Sequence, residues 1–196
     1  MAHVTPLDRA DLPDFEPYFE LIEAAMGFVP RSMFTMGRNP ALLGAFAQLA
    51  GTVLGPGDVD GGLKQMGGHV ASVAAGCRYC QAHTASSAAR GGVAAEKIEA
   101  VLNFETDERF SEPERTALRL AFAAGSTPNV VTPDHFVDLG QHFDEAQVVE
   151  IVSVISLFGW LNRWNDTMAT DLEDEPLAFG RQHLAQAGWD AGKHAH

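Results

Sequence analysis

The chain has 196 residues, of which 46% are hydrophobic and 20% charged, so it has an ordinary globular composition and enough length for one well-buried core. Its formal net charge is −13 at pH 7, which argues against nucleic acid or an anionic membrane as a partner. No apolar run reaches the ~18 residues that span a bilayer, and the N-terminal residues lack the basic-then-apolar order of a secretory signal. We therefore expect a cytoplasmic protein.

Apolar residues recur mostly every three or four positions and strand signals are nearly absent, so the sequence predicts an all-α fold. We expect a single domain over residues 1–196, with its core region at about 45–105 and C-terminal helices at about 111–187. In chain order, the predicted helices cover residues 13–27, 31–36, 40–54, 60–75, 77–90, 94–102, 111–124, 132–142, 144–170 and 175–187.

Several of these boundaries have a local cause. Asn39 followed by Pro40 is a typical helix start, and Ser111 followed by Glu114 has the form of a capping box. The middle of the 144–170 helix is apolar on almost every side, so we expect it to be buried all round, partly by another subunit. The residues after Trp189, up to His196, are expected to be loose.

Both cysteines lie in one stretch at the start of the predicted 77–90 helix. Its sequence is Gly76-Cys77-Arg78-Tyr79-Cys80-Gln81-Ala82-His83-Thr84. Unpaired backbone N–H groups and the helix dipole favour a thiolate there, and CxxC thiols at helix starts reach pKa values of roughly 3.5 to 7.5. Residues three apart on a helix are neighbours, so Cys77 and Cys80 could form a disulfide. His83 could take a thiol proton or pair with the thiolate.

Two other interpretations of this stretch stay open. Free cysteine is among the most buried residue types, so the pair could be chemically inert core residues. Cys77, Cys80 and His83 are also zinc-ligand types, with His69 as a fourth, although a structural zinc site usually brings a second CxxC or HxxxH pair. This sequence has neither. In a cytoplasmic protein a CxxC is more often catalytic or metal-binding than structural.

Two further features carry weaker signals. His69 lies in the helix before the CxxC and could support the thiol site, but an ordinary structural histidine is the simpler interpretation. The polar cluster Asn162-Arg163-Trp164-Asn165-Asp166 continues a very apolar helix. We interpret this cluster as hydrogen bonding at an interface, with lining of the active-site cavity as the alternative.

The Gly76–Thr84 stretch, with the helix before it and residues 85–92 after it, resembles the alkylhydroperoxidase AhpD-like, or carboxymuconolactone decarboxylase, family. The aromatic Tyr79 inside the CxxC is typical of that family. The end of the long helix at 158–163 and the closing residues 187–189 resemble its peroxidase-related branch. The resemblance implies an AhpD-like multi-helix bundle with the CxxC at a helix N-terminus, assembled as a trimer or hexamer.

The resemblance also implies a thiol peroxidase that needs no metal, flavin or haem. In the family's mechanism the second cysteine, here Cys80, becomes a thiolate with help from the histidine, here His83. It attacks the O–O bond of an alkyl hydroperoxide or hydrogen peroxide and becomes a sulfenic acid. The first cysteine, here Cys77, closes a disulfide that an external dithiol reduces. The alternatives are a dithiol–disulfide exchange protein or redox sensor, and a metal-binding or structural assembly protein.

Two positions depart from the family pattern. Gln65 stands about twelve residues before the first cysteine, where members with a proton relay often have a glutamate, and glutamine cannot move a proton. The family histidine often follows the second cysteine by four residues, where this chain has Thr84 and places His83 one position earlier. Gln65, His69, Tyr79 and Thr84 are therefore candidate relay or supporting residues, and His69 could replace the missing carboxylate.

Overall fold

The computed structural model describes residues 2–195, and within that range the chain forms ten α-helices and no β-strand. The predicted all-α fold is confirmed, and each predicted helix is found, with ends that differ by a few residues. The helices are α1 Glu16–Met26, α2 Arg31–Met36, α3 Pro40–Leu54, α4 Gly61–Ala75, α5 Arg78–Arg90, α6 Ala95–Glu99, α7 Glu112–Gly125, α8 Pro133–Leu139, α9 Glu145–Met168 and α10 Asp174–Phe179.

Side-chain caps fix where the long helices begin. The Asn39 side chain accepts the Leu42 N–H at the start of α3, and Asp60 accepts the Leu63 N–H at the start of α4. These contacts satisfy backbone donors that lack a partner in the first turn of a helix. At the other end of α4, Gly76 has φ +75°, a left-handed conformation that glycine adopts without strain. This one residue turns the chain directly into α5.

Helix α4 lies at the centre of the bundle and packs against α5, α7 and α9. A Cβ atom at Gly68 would lie 2.4 Å from the ring of Phe158, so this glycine allows α9 to approach α4 closely. The buried Lys64 also ties α4 to its neighbours, because its ammonium group pairs with Glu150 of α9 and donates to the carbonyl oxygen of Gly55. These contacts fix α4, and with it the start of α5, against α9.

Within one chain, helix α9 is buried on one face only, and coverage of the other face by another subunit stays a prediction. Its inner face, which includes Val154 and Phe158, is buried, but Val149 is 65% exposed and Trp160 is 37% exposed on the opposite side. An open groove of about 780 Å³ runs along this outer face between α7, α8 and α9. Within residues 2–195, no helix has the length and apolarity needed to cross a membrane.

The C-terminal residues up to 195 are packed rather than loose, so the prediction of a loose tail is wrong for that segment; His196 lies outside the described residues. His194 is fully buried, and its Nδ1 lies 2.7 Å from the carbonyl oxygen of Thr170. Trp189 donates its indole N–H to the carbonyl oxygen of Arg78 at 3.0 Å. These contacts press the C-terminal segment onto the first turn of α5, where the cysteines lie.

Candidate functional site

The two thiols sit at the start of α5, as the sequence predicts. Cys77 is the N-cap residue and Cys80 lies in the first turn, and both cysteines are free. Their side chains are hydrogen-bonded to each other, and both residues are buried, at 0% and 2% exposure. Because Gly76 provides the sharp turn before them, two oxidisable thiols lie next to each other inside the protein.

The two thiols have opposite pKa shifts. The hydrogen bond from Cys80 lowers the pKa of Cys77, with further help from backbone N–H groups at the start of α5. Burial raises the pKa of Cys80 well above its ordinary value, and its hydrogen bond to Cys77 raises it further. The nearby charge of Asp166 raises the pKa of both. In the reduced pair, the first negative charge therefore resides mainly on Cys77.

Helix α9 provides one polar contact to the second sulfur. The Nδ2 of Asn165 lies 3.5 Å from the Sγ of Cys80, and this contact lowers the Cys80 pKa against the larger effect of burial. Asn165 belongs to the polar cluster at 162–166. The sequence left two interpretations of that cluster open, hydrogen bonding at an interface and lining of the active-site cavity. The structure places this residue against the dithiol rather than at the surface.

His83 faces a buried carboxylate on the other side of the helix. Its Nε2 lies 2.5 Å from an Oε atom of Glu173, which follows α9 in the chain. The other Oε atom of Glu173 accepts the Tyr79 hydroxyl at 3.0 Å and the Arg31 backbone N–H at 2.5 Å. The rings of Tyr79 and His83 stack with centroids 4.2 Å apart. Glu173 therefore fixes the orientation of both aromatic side chains.

The electrostatics of this cluster favour a charged carboxylate. Burial raises the pKa of Glu173, but the charge and hydrogen bond of His83 and the Arg31 N–H outweigh it, so the net pKa is lowered. Burial and the adjacent Glu173 raise the pKa of the Tyr79 hydroxyl well above its ordinary value, so Tyr79 stays a neutral donor. The cluster is thus centred on an ionised carboxylate that contacts His83, Tyr79 and the Arg31 backbone N–H.

His69 lies on the opposite side of α5 and has neutral partners. Its Nδ1 is 3.0 Å from the Gln81 carbonyl oxygen and 3.1 Å from the Thr84 hydroxyl oxygen. Because a carbonyl oxygen can only accept, Nδ1 carries the ring proton. Burial lowers the pKa of His69 to about 4, so the ring stays neutral at physiological pH.

The remaining predicted site residues divide between these two sides. Tyr79 joins His83 at Glu173, whereas Thr84 joins His69 and donates its hydroxyl to the Cys80 carbonyl oxygen at 2.7 Å. Gln65 is half-buried one turn before His69 on α4, and none of the hydrogen bonds that hold either histidine involves it. Neither Gln65 nor Thr84 contacts the carboxylate cluster.

The set of four zinc ligands considered from the sequence is not assembled. His83 pairs with Glu173, and His69 pairs with the Gln81 carbonyl oxygen. Nowhere in the described range do three His, Cys, Asp or Glu side chains converge in a way that could hold a metal ion.

Glu173 is the functional residue that the sequence did not reveal. It lies 90 positions after His83 in an acidic segment, Asp171–Glu175, that looks like a solvated turn. No local motif in the sequence marks this carboxylate.

A cavity of about 250 Å³ adjoins the His69 side of α5. Its walls include His69, Gly76, Gln81 and Trp189, together with apolar residues around Val101. Neither sulfur atom lines this cavity.

The comparisons with known proteins agree with this architecture. The Carboxymuconolactone decarboxylase family profile matches residues 40–123. The uncharacterized protein YnjA of Escherichia coli is 32% identical over 92 residues, which are 47% of this chain and 50% of that protein. The matched stretch therefore spans about half the length of this curated relative.

The solved structures match over nearly the whole chain. A complex of a cysteine-to-alanine variant of the debrominase Bmp8 with 2,3,4-tribromopyrrole has a TM-score of 0.88 and 34% identity, covering 93% of this chain and 99% of that one. The apo debrominase has a TM-score of 0.85 and 37% identity, over 90% and 95% of the two chains. An uncharacterized peroxidase-related protein of Ralstonia eutropha with an AhpD core has a TM-score of 0.80 at 22% identity, over 92% and 96%. That last likeness shows the fold alone.

The resemblance suggested by the CxxC stretch is thus matched by the family profile, by full-length similarity to a debrominase and by the fold of peroxidase-related proteins. This chain belongs to the carboxymuconolactone decarboxylase family and has its all-α AhpD-like fold.

Proposed function

We propose that the protein is a thiol-dependent peroxidase in which the Cys77–Cys80 pair delivers two electrons to a hydroperoxide. The observation that carries this proposal is the contact between two free, buried thiols at the start of α5, next to a histidine paired with a carboxylate. Thiol oxidation by a peroxide needs an attacking sulfur, a resolving sulfur and a proton donor, and this cluster contains all three.

The proposed reaction balances with the residues present and one external reductant. The Cys80 thiolate attacks the terminal peroxide oxygen, an S–O bond forms as the O–O bond breaks, and the departing alkoxide takes a proton from the His83 imidazolium. Cys77 then attacks the Cys80 sulfur, an S–S bond forms, and hydroxide leaves as water after taking a second proton. Two electrons from an external dithiol restore the thiols.

The surroundings of the sulfurs favour small, uncharged substrates. Both sulfurs are buried and neither lines the 250 Å³ cavity, so a compact peroxide reaches them more readily than a bulky ring. The carboxylates of Asp166 and Glu173 flank the cluster, and their negative charge disfavours anionic peroxides. We therefore expect hydrogen peroxide and neutral alkyl hydroperoxides to react faster than peroxides that carry a carboxylate.

A second candidate function is reductive debromination. The observation in its favour is the 34–37% identity to the debrominase over at least 90% of this chain. Replacing a ring bromine with hydrogen uses the same two electrons, because an aryl bromide and two thiols give the arene, hydrogen bromide and a disulfide. The dithiol would then be shared between the two functions, and only the leaving group would differ.

The test is the intact mass and free-thiol count of the reduced protein after one equivalent of hydrogen peroxide, cumene hydroperoxide or 2,3,4-tribromopyrrole. We expect both peroxides to remove both thiols, with the loss of two hydrogens and no added oxygen. The Cys77→Ser variant should instead gain one oxygen, and Cys80→Ser should keep its thiol. Full turnover by Cys80→Ser would overturn the assignment of the attacking sulfur.

The other outcomes separate the remaining candidates. If the thiols are lost with tribromopyrrole but with neither peroxide, the assigned function would be debromination and not peroxide reduction. Rapid exchange of the disulfide with a dithiol, together with a slow reaction with all three oxidants, would identify an exchange protein or redox sensor. Stoichiometric zinc in the protein purified without added metal would point to the metal-binding alternative.

A trimer or hexamer remains our prediction for the assembly. The outer groove with Trp160 and Trp164 on α9 and Phe136 on α8 presents the apolar surface that a second copy of the chain would cover. Light scattering coupled to size exclusion should give a molar mass of three or six chains. A mass of one chain across the accessible concentration range would contradict this prediction.

A further inference from the structure

The C-terminal half of α9 has a polar side that faces α5. Asn162 and Asn165 lie one turn apart on this side, and both are buried, at 3% and 1% exposure. The Nδ2 of Asn165 lies 3.5 Å from the Cys80 sulfur, while its Oδ1 has no hydrogen-bond partner within residues 2–195. Neither amide atom of Asn162 has a partner in that range. Of these two buried amides, Asn165 contacts the sulfur of Cys80.

An amide buried for structural reasons normally bonds through both its oxygen and its nitrogen, because each unpartnered polar atom destabilises the folded state. Asn165 bonds only through its N–H, and its one partner is a sulfur atom. A sulfur accepts such a bond far better as a thiolate than as a thiol, since a hydrogen bond to an ionised acceptor is stronger. The contact is therefore weakest in the resting state and grows as charge develops on Cys80.

We propose that Asn165 is a catalytic residue: its amide N–H stabilises the negative charge that develops on Cys80 when this sulfur attacks. The proposal rests on the function given above, in which Cys80 attacks the substrate. The contact acts against burial, which raises the pKa of Cys80 above its ordinary value. The proposal also applies in the reverse direction, since Cys80 leaves as a thiolate when a dithiol attacks the Cys77 sulfur of the disulfide.

The test measures thiolate formation without any peroxide. In a Cys77→Ser background, where Cys80 is the one remaining thiol, the ultraviolet absorbance of the thiolate is followed against pH. Asn165→Ala should lower the ionisation constant of Cys80 about tenfold, as expected for loss of one hydrogen bond to a charged group. Asn165→Asp, which has the same size but adds a negative charge, should lower it further.

Asn162→Ala is the matched control, because it removes a buried amide from the same face of α9 with no contact to sulfur. We expect it to change the ionisation constant less than twofold. If the role of Asn165 were purely structural, Asn165→Ala and Asn162→Ala would change the Cys80 ionisation constant by the same factor. Circular dichroism reports whether each variant folds. An unchanged constant in Asn165→Ala, or an equal change in Asn162→Ala, would overturn the proposal.

The Asn165→Asp variant keeps the proposal testable if truncation to alanine prevents folding. A Cys80 ionisation constant that Asn165→Asp leaves unchanged would overturn it as well. The titration does not depend on which substrate the enzyme reduces. Failure of the proposed peroxidase would appear as thiols that survive peroxide in the native protein, whereas failure of this inference would appear as a Cys80 titration insensitive to position 165.

Discussion

The two sides of α5 each bury a histidine beside the same pair of thiols, and they use it differently. His83 pairs with the carboxylate of Glu173 at 2.5 Å, in a cluster that also holds the Tyr79 hydroxyl. His69 pairs with a carbonyl and a hydroxyl oxygen, and burial lowers its pKa to about 4. Burial alone therefore does not decide whether a histidine can carry a proton; the charge of its partner does.

This difference assigns separate roles to the two sides. A histidine held by an ionised carboxylate can become an imidazolium and return the proton, which is what a general acid requires. A histidine with a pKa of about 4 is almost entirely neutral at physiological pH, so it has little proton to give there as a general acid. We therefore expect the His83 side to govern turnover and the His69 side to govern stability, so that substitutions on the two sides should have different signatures.

The largest expected effect is that of Glu173→Gln on turnover. Glutamine keeps the size of the side chain but cannot stabilise an imidazolium on His83, so peroxide turnover should fall at least a hundredfold, within the range of about 10² to 10⁴ for general acid catalysis. The measurement is kcat for cumene hydroperoxide reduction as a function of pH.

Glu175→Gln is the matched control, because Glu175 is a partly exposed carboxylate two residues later that pairs with Arg90. It should keep kcat within a factor of two. Equal losses in both variants would mean that the acidic segment matters only for folding, and the assigned difference between the two sides of α5 would fail.

The position of Glu173 also shows where sequence reasoning reaches its limit. The helix start at Asn39-Pro40 and the CxxC at a helix start follow from local patterns, and the structure has both. The Glu173–His83 contact joins residues 90 positions apart. No local pattern encodes it, because it depends on how the segment after α9 folds back over α5.

The family pattern also gives no indication of Glu173 as the partner of His83. It directs attention to positions 65 and 84, where members with a relay often have a glutamate and a histidine. In this chain those positions hold Gln65 and Thr84, and Thr84 lies on the neutral side with His69. The structure gives the surviving His83 a carboxylate from a different part of the chain. A residue-by-residue comparison over the motif alone could not find that carboxylate.

The next effect in size concerns stability and pH at His69. Its pKa is about 4 in the folded protein and 6.5 when unperturbed, so between these values the unfolded chain binds a proton that the folded chain does not. The resulting contribution to the unfolding free energy is fully present above pH 6.5 and is lost as the pH falls from 6.5 to about 4. It amounts to about 3 kcal/mol of unfolding free energy.

The measurement is urea denaturation of the wild type and His69→Asn at several pH values between 7 and 4. The asparagine amide reproduces the Nδ1–H donor but does not titrate, so the variant should lack this part of the acid destabilisation. Replacement of the exposed His142 by asparagine is the control. It should lose as much unfolding free energy between pH 7 and pH 4 as the wild type does. Parallel stability curves for the wild type and His69→Asn would refute the assignment of a neutral His69.

A smaller effect is expected for Tyr79→Phe on the carboxylate side. The substitution keeps the ring that stacks on His83 and removes the hydroxyl that donates to Glu173 at 3.0 Å. His83 and the Arg31 N–H still hold the carboxylate. We expect a loss of about 1 kcal/mol in unfolding free energy and a few-fold decrease in kcat. A hundredfold decrease would show that the tyrosine, rather than Glu173, is the main support of His83.

The smallest effect on turnover is expected for Thr84→Val, on the neutral side. Valine has nearly the same shape but loses the hydroxyl that lies 3.1 Å from His69 and donates to the Cys80 carbonyl oxygen. The unfolding free energy should fall by about 1 kcal/mol while kcat stays within a factor of two. Ser72→Ala, which removes a similar hydroxyl bonded to the Gly68 carbonyl on α4, is the control for stability. A loss of turnover in Thr84→Val as large as that in Glu173→Gln would mean that proton transfer also runs through the His69 side, and the division of α5 into a reactive and a supporting side would have to be abandoned.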